Sequence, residues 1–162
     1  MPTPRFDSAD PALIEEIISE ARARLEVQLT AAIAADQRAM TFAGLLFAGT
    51  AVLVGLALGK DAQPAHEHPL LCVAAGFVIA AALACLTARP TRWHQLGNYP
   101  SSFEDDVQNN LKLADTRAQT AANYEKMLKE NEATLQLNGW FMRASMLVAS
   151  VSAIAGIFSA LV

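Results

Sequence analysis

The stretch Asn131–Val162, NEATLQLNGWFMRASMLVASVSAIAGIFSALV, starts as charged, helix-like sequence and finishes as unbroken apolar sequence. Its reading decides the architecture. Either one helix passes from water into a bilayer, or Asn138-Gly139 splits the segment into two elements. A glycine inside a helix costs about 1 kcal/mol, and Asn-Gly is a familiar turn pair. No loop residues surround the pair, however, and Trp140 and Phe141 are already apolar. A break there would strand backbone N–H and C=O groups where water is scarce, which is the larger penalty. The sequence therefore predicts one helix from residue 102 to the C-terminus, with Gly139 as the point where it would kink.

Two further stretches share the uncharged character of residues 144–162: AMTFAGLLFAGTAVLVGLALG at 39–59 and PLLCVAAGFVIAAALACLTA at 69–88. A helix of about 20 residues spans roughly 30 Å, one hydrocarbon core. Helices buried in a large soluble protein look alike, but a chain of 162 residues has no outer shell to bury three of them. The expected fold is an all-α membrane protein with three transmembrane helices, the first and third carrying long helical extensions. Its parts are a helical arm at 1–38, a first span at 39–59, a short external loop at 60–68, a second span at 69–88, a loop and long helix at 89–143, and a third span at 144–162. The acidic N-terminus has no early apolar core, so the first span is expected to remain in place.

Lys and Arg set the orientation. Arg5, Arg22, Arg24 and Arg38 precede the first span, and Arg89, Arg92, Lys112, Arg117, Lys126 and Lys129 lie between the second and third, whereas the short loop has only Lys60. The N-terminus and the 89–143 segment are expected in the cytoplasm, and the C-terminus outside. The net charge of −4 offers no basic field for nucleic acid.

In the arm, Asp10-Pro11 is a helix start, with an N-cap acid followed by proline at the first helical position. Ile14, Ile18, Ala21, Leu25, Leu29 and Ala32 fall on one face, and Glu20–Arg24 and Arg22–Glu26 are spaced as helical neighbours. After Pro90 and Pro100, SSFE reads as a capping box from Ser101 to Glu104. Val107, Leu111, Ala114, Ala118, Ala121, Leu128 and Leu135 then follow at helical spacing. The two arms are expected to pair, and their thin core points to self-association.

Small residues recur every four positions in all three spans: Ala51, Gly55 and Gly59; Gly76, Ala80 and Ala84; Ser152, Gly156 and Ala160. Such seams let helices approach closely in lipid, either within one chain or between copies of a homo-oligomer. No span contains an acid or an internal base, which argues against a coupled transporter. Arg38, Arg89, Arg92 and Arg143 map to one rim. They read as positive-inside anchors or, more sharply, as a phosphate site on which Trp93 and Tyr99 could stack a base. Cys72 and Cys85 share a helix about 20 Å apart by rise and cannot bridge each other. His66, Glu67 and His68 on a short loop make a poor metal site, and no metal or other cofactor is expected. The chain carries no nucleophile elbow, P-loop, dinucleotide fingerprint or zinc-helix motif, so an enzyme is not expected.

Three segments carry a resemblance: AADQRAMTFAGLLFAG at 34–49, CLTARPTRWHQLGNYPSSFED at 85–105 and ANYEKMLKENEATLQLNGWFMRAS at 122–145. Together, over roughly residues 28–160, their layout resembles the small transmembrane effectors of bacterial Pycsar antiphage systems and, more loosely, the SLATT-type membrane effectors. The resemblance implies an inner-membrane effector that answers a cyclic nucleotide made during phage infection by impairing the membrane. It singles out Asp36, Arg38, Asn98 and Tyr124. The chain departs from that pattern in lacking a recognisable nucleotide-binding fold, so a ligand would bind between helices or a partner would do the sensing. The competing expectation is a constitutive small oligomeric channel or scaffold.

Overall fold

The computed structural model describes Phe6 and residues 9–59, 64–97 and 99–161, with backbone only for 64–66, 160 and 161. The chain is all-α, with four helices among the described residues: α1 (Pro11–Ala57), α2 (Pro64–Thr87), α3 (Glu104–Gln108) and α4 (Leu113–Leu161). A 3₁₀ turn, Pro100–Phe103, leads into α3. α1, α2 and α4 each contain a segment long and apolar enough to cross a membrane. Only 17%, 33% and 11% of their respective apolar windows are buried by protein, which leaves most of that surface for lipid or other helices to cover. The chain divides into two compact units: a polar unit of residues 1–32 and 91–135, and an apolar unit of residues 33–90 and 136–162.

In the polar unit, Asp10 caps α1 as its position predicts, its Oδ1 accepting from the Ala12 N–H at 2.8 Å. Ile14, Ile18, Ala21 and Leu25 are buried against Ala118, Ala121 and Tyr124 of α4. The alanines on α4 admit the larger side chains of α1, and each buried Ile or Leu contributes roughly 1.5–3 kcal/mol. Leu29 is half-buried, and its neighbour Gln28 turns inward to donate from Nε2 to the Leu128 carbonyl at 3.2 Å.

The long helix does not begin at residue 102. α3 stops after five residues, and α4 starts at Leu113. The cause is a Schellman cap. Asn110 takes the left-handed conformation at φ 50°, Leu111 N–H donates to the Asp106 carbonyl at 2.9 Å, and Asn110 N–H donates to Val107 at 3.2 Å. Val107 and Leu111 therefore leave the seam and are exposed. The capping box is also absent. Ser101 lies inside the 3₁₀ turn, and the N-cap, Tyr99, makes no side-chain cap bond. Neither the Glu20–Arg24 nor the Arg22–Glu26 pair forms; the helical neighbours that pair are Lys126–Glu130 and Lys129–Glu125.

In the apolar unit, α4 runs unbroken through Asn138-Gly139. α2 begins at Pro64 rather than Pro69: Pro64 suits a first helical position, and Pro69, the sixth residue, costs the helix one backbone hydrogen bond without ending it. The loop expected over 60–68 is thus shortened, and residues 60–63 lie outside the described residues. Ala43 and Leu46 of α1, Ala80, Ala81 and Ala84 of α2, and Ala149 of α4 form the core, flanked by Phe42, Phe77, Cys85 and Val148. Ser145 Oγ donates to the Ala80 carbonyl at 2.6 Å in full burial. A Cβ on Gly76 would collide with the Ser152 side chain, and one on Gly156 would fall 2.6 Å from Val73 Cγ2. The seams of α2 and α4 are therefore used within the chain, while Ala51 and Gly55 on α1 are exposed, with open space around Gly55; Gly59, expected in the same seam, lies beyond the end of α1. The Ala160 side chain lies outside the described residues.

Candidate ligand-binding cavities

The loop after α2 carries the polar unit's cavities, and α4 holds the loop in place. His94 N–H donates to Asn131 Oδ1 at 3.0 Å, and Asn131 Nδ2 donates to the His94 carbonyl at 3.1 Å. This amide clamp is 1% exposed, so its bonds are shielded from water. His94 Nε2 also meets Glu130 Oε2 at 2.6 Å. Further along, Gly97 adopts φ 88°, a conformation that side chains other than glycine's disfavour.

Three cavities surround this loop. One, of about 630 Å³, is lined by Trp93, His94, Tyr99, Pro100 and Met127. A second, of about 650 Å³, shares Gly97 with the first and is walled by Glu15, Arg22, Phe103, Arg117 and Tyr124 together with Leu113 and Thr116 from the start of α4. A third, of about 260 Å³, lies by His94, Lys126 and Glu130. The two larger volumes fall in the range of small-molecule sites, about 300–1,000 Å³.

Tyr124 is 1% exposed. Its hydroxyl accepts from Arg22 Nε at 3.3 Å, and the Arg22 guanidinium stands 5.9 Å from its ring centroid. Arg117 donates to Glu15 Oε2 at 3.3 Å, both side chains being partly exposed. Beyond these contacts neither guanidinium bonds to protein among the described residues, so both keep free donors.

The rim expected from sequence separates. Trp93 and Tyr99 line one cavity wall together. Arg92 is exposed in the same unit and does not line that wall. Arg38, Arg89 and Arg143 belong to the apolar unit and are exposed, Arg89 lying 5.7 Å above the Phe141 ring. Of the positions singled out by resemblance, Tyr124 is a cavity wall and Asn98 lies outside the described residues. Burial raises the carboxyl pKa of Asp36, which precedes the first span. Asn138 is buried, and its Oδ1 has no donor. Sequence reasoning missed Arg22 and Arg117. The seven-residue spacing of Arg117 and Tyr124, two turns on one helix face, is the signal that could have found the second.

No family model matches this chain, and comparison with curated proteins and with solved structures finds no match either.

Proposed function

We propose that the protein is an effector of bacterial antiphage defence that lies in the inner membrane as a homo-oligomer and impairs membrane integrity on a cyclic-nucleotide or partner signal. The observation that supports this reading is continuity. α1 and α4, the two helices that wall the cavity beside Arg22 and Arg117, each extend without interruption into an apolar segment of membrane-spanning length. A ligand that changes how the two helices pack therefore acts on two spans at once, provided it binds the two arrangements with different affinity. Converting a 1:99 population to 99:1 takes about 5.5 kcal/mol of differential binding. In this reading the Lys and Arg distribution puts the N-terminus and the polar unit in the cytoplasm and the C-terminus outside. Copies associate through the open face of α1 at Ala51 and Gly55, the seams of α2 and α4 being occupied within the chain.

The test follows membrane potential by dye in cells expressing the chain, before and after phage infection or cyclic-nucleotide loading. Depolarisation that depends on the trigger is expected. Leak that is constant with and without it would replace this reading with a constitutive channel.

A further inference from the structure

We propose that the cavity walled by Arg22, Arg117 and Tyr124 is a binding site for a phosphoester, with the two guanidinium groups and the start of α4 as its anion-binding wall. The consequence of binding rests on the effector reading above; the binding itself does not.

Charge comes first. The lining carries two arginines and one carboxylate, Glu15, a net positive balance. Glu15 is held by Arg117 at 3.3 Å, but its side chain is 69% exposed, so an incoming anion can displace it. Exposed pairs of this kind contribute little to stability, and exchanging Glu15 for a phosphate is therefore inexpensive.

Donor geometry comes second. Arg22 spends Nε on the Tyr124 hydroxyl, which holds the guanidinium and leaves its terminal nitrogens unbonded among the described residues. Guanidinium forks match phosphate oxygens bidentately. Leu113, the first residue of α4, lines the same cavity, and the opening N–H groups of a helix favour an anion. The acid of that first turn, Asp115, is exposed and does not line the cavity. Side-chain donors thus come from two helices, and the start of α4 adds the positive end of its dipole. This suits a tetrahedral phosphate better than a carboxylate, whose two oxygens lie in one plane.

Size comes third. At about 650 Å³ the cavity exceeds what a bare ion fills, and Ile18, Phe103 and Leu113 supply an apolar wall for the organic part of an ester.

Phosphoesters reach such a site either as soluble metabolites or as lipid headgroups, and calorimetry on the full chain in nanodiscs distinguishes the two. The probes are inorganic phosphate, 5′-AMP and 3′,5′-cyclic AMP, titrated into discs of phosphatidylcholine alone and into discs containing phosphatidylglycerol. Saturable binding of an organic ester is expected in the neutral discs. Loss of that binding in the anionic discs identifies a headgroup as the natural source, and its persistence identifies a soluble ester. Arg22→Gln and Arg117→Gln, checked for unchanged helicity by circular dichroism, should each weaken binding at least tenfold. Glu15→Gln should tighten it several-fold, because it frees Arg117. A purely structural salt bridge predicts no gain in affinity from that last change. The proposal fails if no probe saturates, or if the folded arginine variants bind as the parent does. Binding without depolarisation would keep the site and remove the effector reading. Depolarisation indifferent to an Arg22→Gln change that abolishes binding would keep the effector reading and remove this site as its trigger.

Discussion

The polar and apolar units share two long helices, α1 and α4, yet different forces hold each unit together. In the polar unit, α1 offers Ile14, Ile18 and Leu25, and α4 answers with Ala118, Ala121 and Tyr124. This is large-into-small packing driven by release of water. In the apolar unit lipid offers no such drive, and the core is five alanines around Leu46, with Gly76 and Gly156 admitting Ser152 and Val73 at close range. Their cavities differ in the same sense. One is walled by arginines, a carboxylate and a tyrosine; the other, about 390 Å³, by Leu53, Pro69, Leu70, Val73 and Ile157. The first lining is charged, and the second is almost wholly apolar, with Ser159 as its one hydroxyl.

The comparison breaks most visibly at Tyr124. Tyr124→Ala removes a 1%-exposed aromatic and should cost about 3–5 kcal/mol, the usual range for buried aromatic truncations. Hydrogen exchange should show the polar unit losing protection while the spans keep theirs. Equal loss in both units would show that they do not differ as described.

Gly76→Leu should strike the other unit by overpacking it against Ser152, at about 1–3 kcal/mol, read as a lower denaturation temperature in detergent. Gly55→Leu, on the open face of α1, should leave that temperature unchanged and reduce only the oligomer mass. If Gly55→Leu destabilises the monomer as much as Gly76→Leu does, the division of the seams is wrong.

The spans, the α1 seam and the Asp10 cap were legible because each depends on residues close in sequence: an uncharged run, a three-four spacing, an acid before proline. The start of α4 was not, because a left-handed Asn110 ends α3 where only an unremarked Asn-Asn pair marks it. The Ser101–Glu104 signature was present but led nowhere, because Pro100 had already committed the chain to a 3₁₀ turn. The arginine-walled cavity was the least visible. Arg22 and Arg117 stand 95 positions apart in the chain, and no local spacing connects them. The clamp of Asn131 on His94 is of the same kind, an amide whose value lies in a distant loop.

The smallest expected effect is at Asp36. Its carboxyl pKa is raised above the unfolded value by burial, so the contribution is present at acid pH and lost as pH rises through the folded pKa. Asp36→Asn should therefore be slightly more stable than the parent at neutral pH, with the gap closing on acidification. A gap that widens in acid would reverse the assignment.

The central claim is that a ligand held in the polar unit acts on the membrane through helices that do not break. α4 offers the cleanest place to cut the connection, at Asn138-Gly139, where it runs unbroken and a Cβ on Gly139 would meet nothing within 4 Å. Inserting a short Gly-Ser linker there, and following membrane potential by dye after the trigger, tests the claim directly. The account predicts that the variant inserts into the membrane, keeps its ligand affinity and no longer depolarises the cell. Depolarisation that stays trigger-dependent and unchanged in the insertion variant would contradict it, leaving the polar segment of α4 a tether rather than a lever.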